Sequence, residues 1–70
     1  MNRIHVKSSN IKSIGYEEPS KTLEIEFIKG GIYQYFKVPE SIYRELMKAS
    51  SLGKYFHSFI RDKFQTEEVK

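Results

Sequence analysis

The sequence predicts a single small α+β domain: a three-stranded antiparallel meander over residues 11–37, extended by a short fourth strand at 4–6, followed by two helices packed on one face. Three observations carry that prediction. Apolar and polar residues alternate with period two over residues 22–28, a glycine pair separates that stretch from a second aromatic run, and after Pro39 the apolar spacing becomes helical. Strands first and helices second is the order of an α+β fold and not of an alternating α/β sheet.

From the N-terminus, Ile4 and Val6 alternate with Arg3, His5 and Lys7, and Ser8, Ser9 and Asn10 supply turn chemistry. Residues 11–16 form the next strand, with Ile14 and Tyr16 on one face, and Glu17-Glu18-Pro19-Ser20 turns the chain. In the clearest strand Leu23, Ile25 and Phe27 point one way and Glu24 and Glu26 the other, so one face is expected to be apolar and the other wet. Lys29-Gly30-Gly31 then makes a hairpin. A loop of Gly30 and Gly31 alone would set Gln34 and Phe36 on the face of Leu23, Ile25 and Phe27. A three-residue loop with Gly31 as the left-handed bulge residue sets Tyr33 opposite Phe27 and Tyr35 opposite Ile25. It buries two tyrosines in place of a glutamine and is the register expected.

Proline at the first helical position forfeits no needed hydrogen bond, so Pro39 starts a helix well, and Glu40 suits its positive end. Ile42, Tyr43, Leu46, Met47, Ala49 and Ser50 share an arc of about 160°, with Arg44, Glu45 and Lys48 opposite. Ser50 or Ser51 caps a second helix from Leu52 to about Lys63, on which Leu52, Tyr55, Phe56, Phe59, Ile60 and Phe64 cover one half. Lys54, His57 and Arg61 form a stripe about 60° wide on its other side. The expected core is Leu23, Ile25, Phe27, Tyr33, Tyr35, Leu46, Phe56, Phe59 and Ile60; residues 4–64 are expected to be ordered and 65–70 to fray.

Seventy residues allow one domain. There is no cysteine, which fits a reducing cytoplasm, and neither a secretory signal nor an apolar run able to span a membrane is present in the sequence. His5 and His57 have no partner at ligand spacing, so no metal is expected. Ser58, His57 and Asp62 lack the spacing of a nucleophile with its base, and the acids, including Glu24, Glu26 and Glu67-Glu68, read as solvated faces. Lys29-Gly30-Gly31 opens a strand and not a helix, which excludes a phosphate loop. No catalytic residue and no cofactor are expected, and the chain does not read as an enzyme.

Two binding readings remain. The run KGGIYQYF matches the aromatic strand of RNA-recognition motifs at under half its positions, so Tyr33 and Tyr35 read as structural. Residues 41–64 carry five Lys or Arg against two acids, a local excess equal to the net charge of +3 of the whole chain. Lys54, His57 and Arg61 are therefore the candidate RNA-binding residues, with Lys48 and Lys63 flanking. The alternative partner is a protein, or a second copy of the chain, held by a spare aromatic face.

The segments SSNIKSIGY (8–16), LEIEF (23–27), GGIYQYFKVP (30–39) and ASSLGKYFHSFIR (49–61) together resemble the KTSC domain, a bacterial module named for the C-terminus of some lysyl-tRNA synthetases. Tyr33-Gln34-Tyr35 and the run of Ser51, Gly53, Tyr55 and Phe56 are the most specific parts of the likeness. The resemblance implies a stand-alone accessory domain without aminoacylating activity. RNA is its implied partner, because some copies are fused to a tRNA-charging enzyme.

Overall fold

The alternation that begins at Thr22 produces the central strand of a five-stranded antiparallel sheet in the computed structural model, which describes residues 1–69. In chain order the elements are β1 (Ile4–His5), β2 (Ile11–Glu17), β3 (Thr22–Phe27), β4 (Ile32–Tyr35), α1 (Glu40–Lys48), α2 (Leu52–Phe59) and β5 (Thr66–Val69). The strands lie side by side as β1-β2-β3-β4-β5. The α+β class and the meander are as expected, with a fifth strand added.

That strand corrects the expected frayed tail at 65–70, of which Lys70 lies outside the described residues. β5 pairs with β4, Thr66 opposite Tyr35 and Glu67 opposite Gln34. The Phe36 amide donates to the Gln65 carbonyl at 2.9 Å, and Thr66 Oγ1 donates to the Gln34 carbonyl at 2.8 Å. All four β5 side chains are exposed, so no apolar pattern marks the strand. Its driving force is the outer edge of β4, whose backbone groups beside the buried Tyr35 need partners.

Between β3 and β4, Ile25 faces Tyr33 and Leu23 faces Tyr35. Both tyrosines lie on the expected face, but their partners are two residues away from the expected Phe27 and Ile25. The loop is the reason. The Phe27 amide donates to the Gly31 carbonyl at 3.1 Å and the Gly30 amide to the Phe27 carbonyl at 3.0 Å, so the loop is residues 28–30. Gly30, at φ 112°, therefore takes the bulge position inside the loop, and Gly31, which pairs back to Phe27, also has a positive φ of 92°. A shift of two preserves the parity of the pleat and hence the face.

β2 carries a bulge of its own: Ile11 pairs with Phe27 and Ser13 with Glu26, leaving Lys12 as the extra residue. The bulge lets Ile11 and Ile14 point to the same side despite their odd spacing, and both are fully buried. With Leu23, Ile25, Tyr35, Val38, Leu46, Phe56 and Ile60 they make the core. Phe27 and Tyr33 pack half-buried against it.

The helices differ from expectation at three points. Pro39 caps α1 from an extended conformation at φ −61° and ψ 148° instead of occupying the first helical position. α2 is capped by Ser51 and ends at Phe59 and not Lys63, with Asp62 at φ 63° in the turn beyond. Phe59, expected in the core, is 54% exposed and lies on Tyr55 with ring centroids 4.7 Å apart. A helix resting on one sheet face buries less than half its circumference, and Phe56 and Ile60 already fill that contact. No helix of the described residues is long and apolar enough to cross a membrane.

The far face of the sheet is not uniformly wet, as Glu24 was expected to be; Glu24 is only 6% exposed. The N-terminal segment crosses above it. Arg3 pairs with Glu24 through Nη1 and donates from Nε to Ser13 Oγ at 3.0 Å, and Gln34 Nε2 donates to Glu24 Oε1 at 2.8 Å. Close approach is possible because Gly15 has no side chain: a Cβ there would stand 2.5 Å from the Asn2 carbonyl oxygen. Burial pushes the Glu24 carboxyl up. Hydrogen bonds from Gln34 and Arg3, with the positive charges of Arg3 and the N-terminus, outweigh burial and hold it below the ordinary carboxylate range.

Two outcomes follow for stability. A carboxylate with a lowered folded pKa contributes in full above its unfolded value near about 4.3, and that contribution is lost as pH falls through the lower folded value. Denaturation followed from pH 7 downward should show Glu24→Gln less stable by about 1.5–3 kcal/mol at neutral pH and nearly level with the parent in strong acid. An unchanged gap at every pH would exclude the charge as the cause. For β5, hydrogen exchange should find the Phe36 amide protected in the full chain and exposed to exchange after removal of residues 65–70, whereas a frayed tail would give the same rate in both.

Candidate functional site

α2 begins where Ser51 Oγ accepts a hydrogen bond from the Lys54 amide at 3.3 Å, and that cap fixes the direction in which the cationic stripe starts. Lys54 and His57 project from α2 and Arg61 from the turn after it, all three exposed. Arg61 stays in line although the helix has ended: its Nη1 lies 3.3 Å from His57 Nδ1.

Between α2, the β3–β4 loop and the turn at Ser9 and Asn10 runs a groove of about 1000 Å³. Aromatic rings line it. Phe27 meets Tyr33 edge to face at 5.7 Å and Phe56 at 5.4 Å, while Tyr35 meets Phe56 at 5.5 Å. Edge-to-face packing of this kind is a favoured arrangement of aromatic rings. Tyr35 is buried, and that burial pushes its hydroxyl pKa up, so it stays neutral; Tyr33 is half-buried and retains free ring surface.

Lys54, His57 and Arg61 border this same groove, joined by Lys29 from the hairpin loop, with Asp62 as the acid among its lining residues. The structure thus brings together two features that the sequence presents separately, the Tyr33-Gln34-Tyr35 motif and the cationic stripe. Lys48 and Lys63 are exposed but do not line the groove. Lys48 closes α1, and Lys63 lies beyond the end of α2.

Sequence reasoning missed Lys29 and Asn10. Both belong to turns, where no periodicity relates them to a helix far along the chain. A signal for Asn10 did exist in Gly53, a costly residue inside a helix. A Cβ on Gly53 would stand 2.8 Å from Asn10 Nδ2, so the glycine makes room for the asparagine amide.

A sheet with two helices on one side and an open groove, lined by aromatic rings and bordered by cations, defines a small α+β domain. The KTSC domain family model matches residues 7–64. The crystal structure of a KTSC domain protein from Yersinia pestis matches with a TM-score of 0.97 and 40% identity, over 99% of this chain and 97% of that one. Lysine–tRNA ligase from Trichormus variabilis is 46% identical over 63 residues, which cover 90% of this chain and 11% of the ligase. An uncharacterized protein from Stutzerimonas stutzeri is 36% identical over 61 residues, covering 87% of this chain and 86% of that protein.

This chain belongs to the KTSC domain family. It spans 11% of the length of the lysine–tRNA ligase it matches.

Proposed function

We propose that the domain is a non-catalytic accessory module that binds RNA along the groove, with phosphates held by Lys54, His57 and Arg61. Lys48 and Lys63 serve as flanking cations outside it. The observation that carries this reading is the co-location of an aromatic floor with a cationic border. Three Lys or Arg and one acid line the groove, and a chain of phosphates beside bases needs cations beside aromatic rings. The ligase relatives support it as well, since proteins named for a tRNA substrate contain a segment 46% identical to this chain.

One other observation favours a different partner. Phe59 is 54% exposed on top of Tyr55, an apolar surface that a protein or a second copy of the chain would cover. The cationic groove lies on another side of α2 and is unexplained by such a contact.

Fluorescence anisotropy of labelled single-stranded RNA, measured across a salt series, separates the two. With three phosphate contacts, log affinity should fall against log salt with a slope on the order of −2. Replacing both Lys54 and Arg61 by glutamine should flatten that slope without unfolding the domain, since both side chains are exposed. Binding unaltered by the double replacement would put the site elsewhere, and no binding at low salt would give the function to the Phe59 surface.

A further inference from the structure

Asn10 is fixed in its backbone and free in its side chain. Its amide nitrogen donates to Ser8 Oγ at 3.1 Å and its carbonyl accepts from the Ile28 amide at 3.0 Å, which ties the turn to the β3–β4 loop. The side-chain amide packs on Gly53, lines the groove, and hydrogen-bonds to no other described residue. Two groove hydroxyls are engaged elsewhere: Ser51 Oγ caps α2, and Thr66 Oγ1 donates to the Gln34 carbonyl.

We infer that Asn10 is the specificity-determining residue of the groove, reading the edge of a base in single-stranded RNA whose phosphates lie on Lys54, His57 and Arg61. The inference rests on the RNA reading above and adds to it which strand form and which base are chosen. Phosphate contacts position a nucleic acid but carry no sequence information, so discrimination requires a group that meets a base edge. A planar amide offers a donor and an acceptor side by side. That pair complements the N6 donor and N7 acceptor of adenine, the base with which asparagine forms its bidentate contact.

The contact requires a single strand. In an A-form duplex the N6 and N7 edge of adenine faces a deep, narrow major groove that side chains do not reach, whereas splayed bases expose that edge and stack on aromatic rings. Tyr33, half-buried in the groove, supplies the stacking surface.

The test uses the full chain and labelled oligo(A), oligo(C) and oligo(U) of equal length, with an RNA duplex as competitor. Oligo(A) should bind more tightly than the other two by at least about five-fold, the lower bound for one bidentate contact, and the duplex should compete poorly. Asn10→Ala keeps both backbone hydrogen bonds, and it should erase the preference while leaving the salt slope intact. Gly53→Ala, which favours the helix but crowds the amide, should weaken the preference in the same direction. A preference for oligo(A) that survives in Asn10→Ala, or equal competition by the duplex, overturns the inference while the RNA reading stands. No binding of any oligomer at low salt overturns both.

Discussion

The pairing of Ile25 with Tyr33 and of Leu23 with Tyr35 decides which half of each strand faces the helices, and a slip of one residue would invert both faces together. In the observed register Tyr35 enters the core and Gln34 meets Glu24 on the far side. The slipped register would set a glutamine beneath the helices, where a buried polar group costs free energy unless it is paired. The tight loop at residues 28–30 enforces the choice, because its bulge position needs the positive φ that Gly30 adopts.

Each side of the sheet then acquires its character from that one pairing. On the helix side the rings of Phe27, Tyr33, Tyr35 and Phe56 interlock, and the part of them left uncovered becomes the floor of the groove. On the other side Glu24, Ser13 and Gln34 form a polar patch that Arg3 closes, so the short β1 is anchored by an ion pair as well as by its pairing with β2. The groove is thereby mounted on a sheet fastened from behind.

How much of this could be read in advance depends on how local each signal is. The Leu23-Ile25-Phe27 alternation and the apolar arc of α1 are patterns within one element, and both appear where the sequence puts them. The Lys54 and His57 stripe is legible for the same reason. β5 was invisible because Thr66-Glu67-Glu68-Val69 has no buried face and exists only as a partner for β4. Glu24 looked solvated because its partner Arg3 lies 21 residues away. Asn10 and Lys29 reach the groove through turns, so only the folded chain places them beside α2. Phe59 failed in the opposite sense, as an apolar residue on the right half of a helix whose contact was already filled.

A single register gathers the aromatic motif and the cationic stripe into one face, which we propose binds RNA. Amide chemical shifts of the labelled domain, followed during addition of single-stranded oligo(A), test it most directly. The account predicts shifts confined to Asn10, Gly30, Tyr33, Lys54 and His57, with Ser13, Gly15 and Glu24 unmoved. Shifts gathered on Ser13, Gly15 and Glu24, or none at saturating RNA, would contradict it.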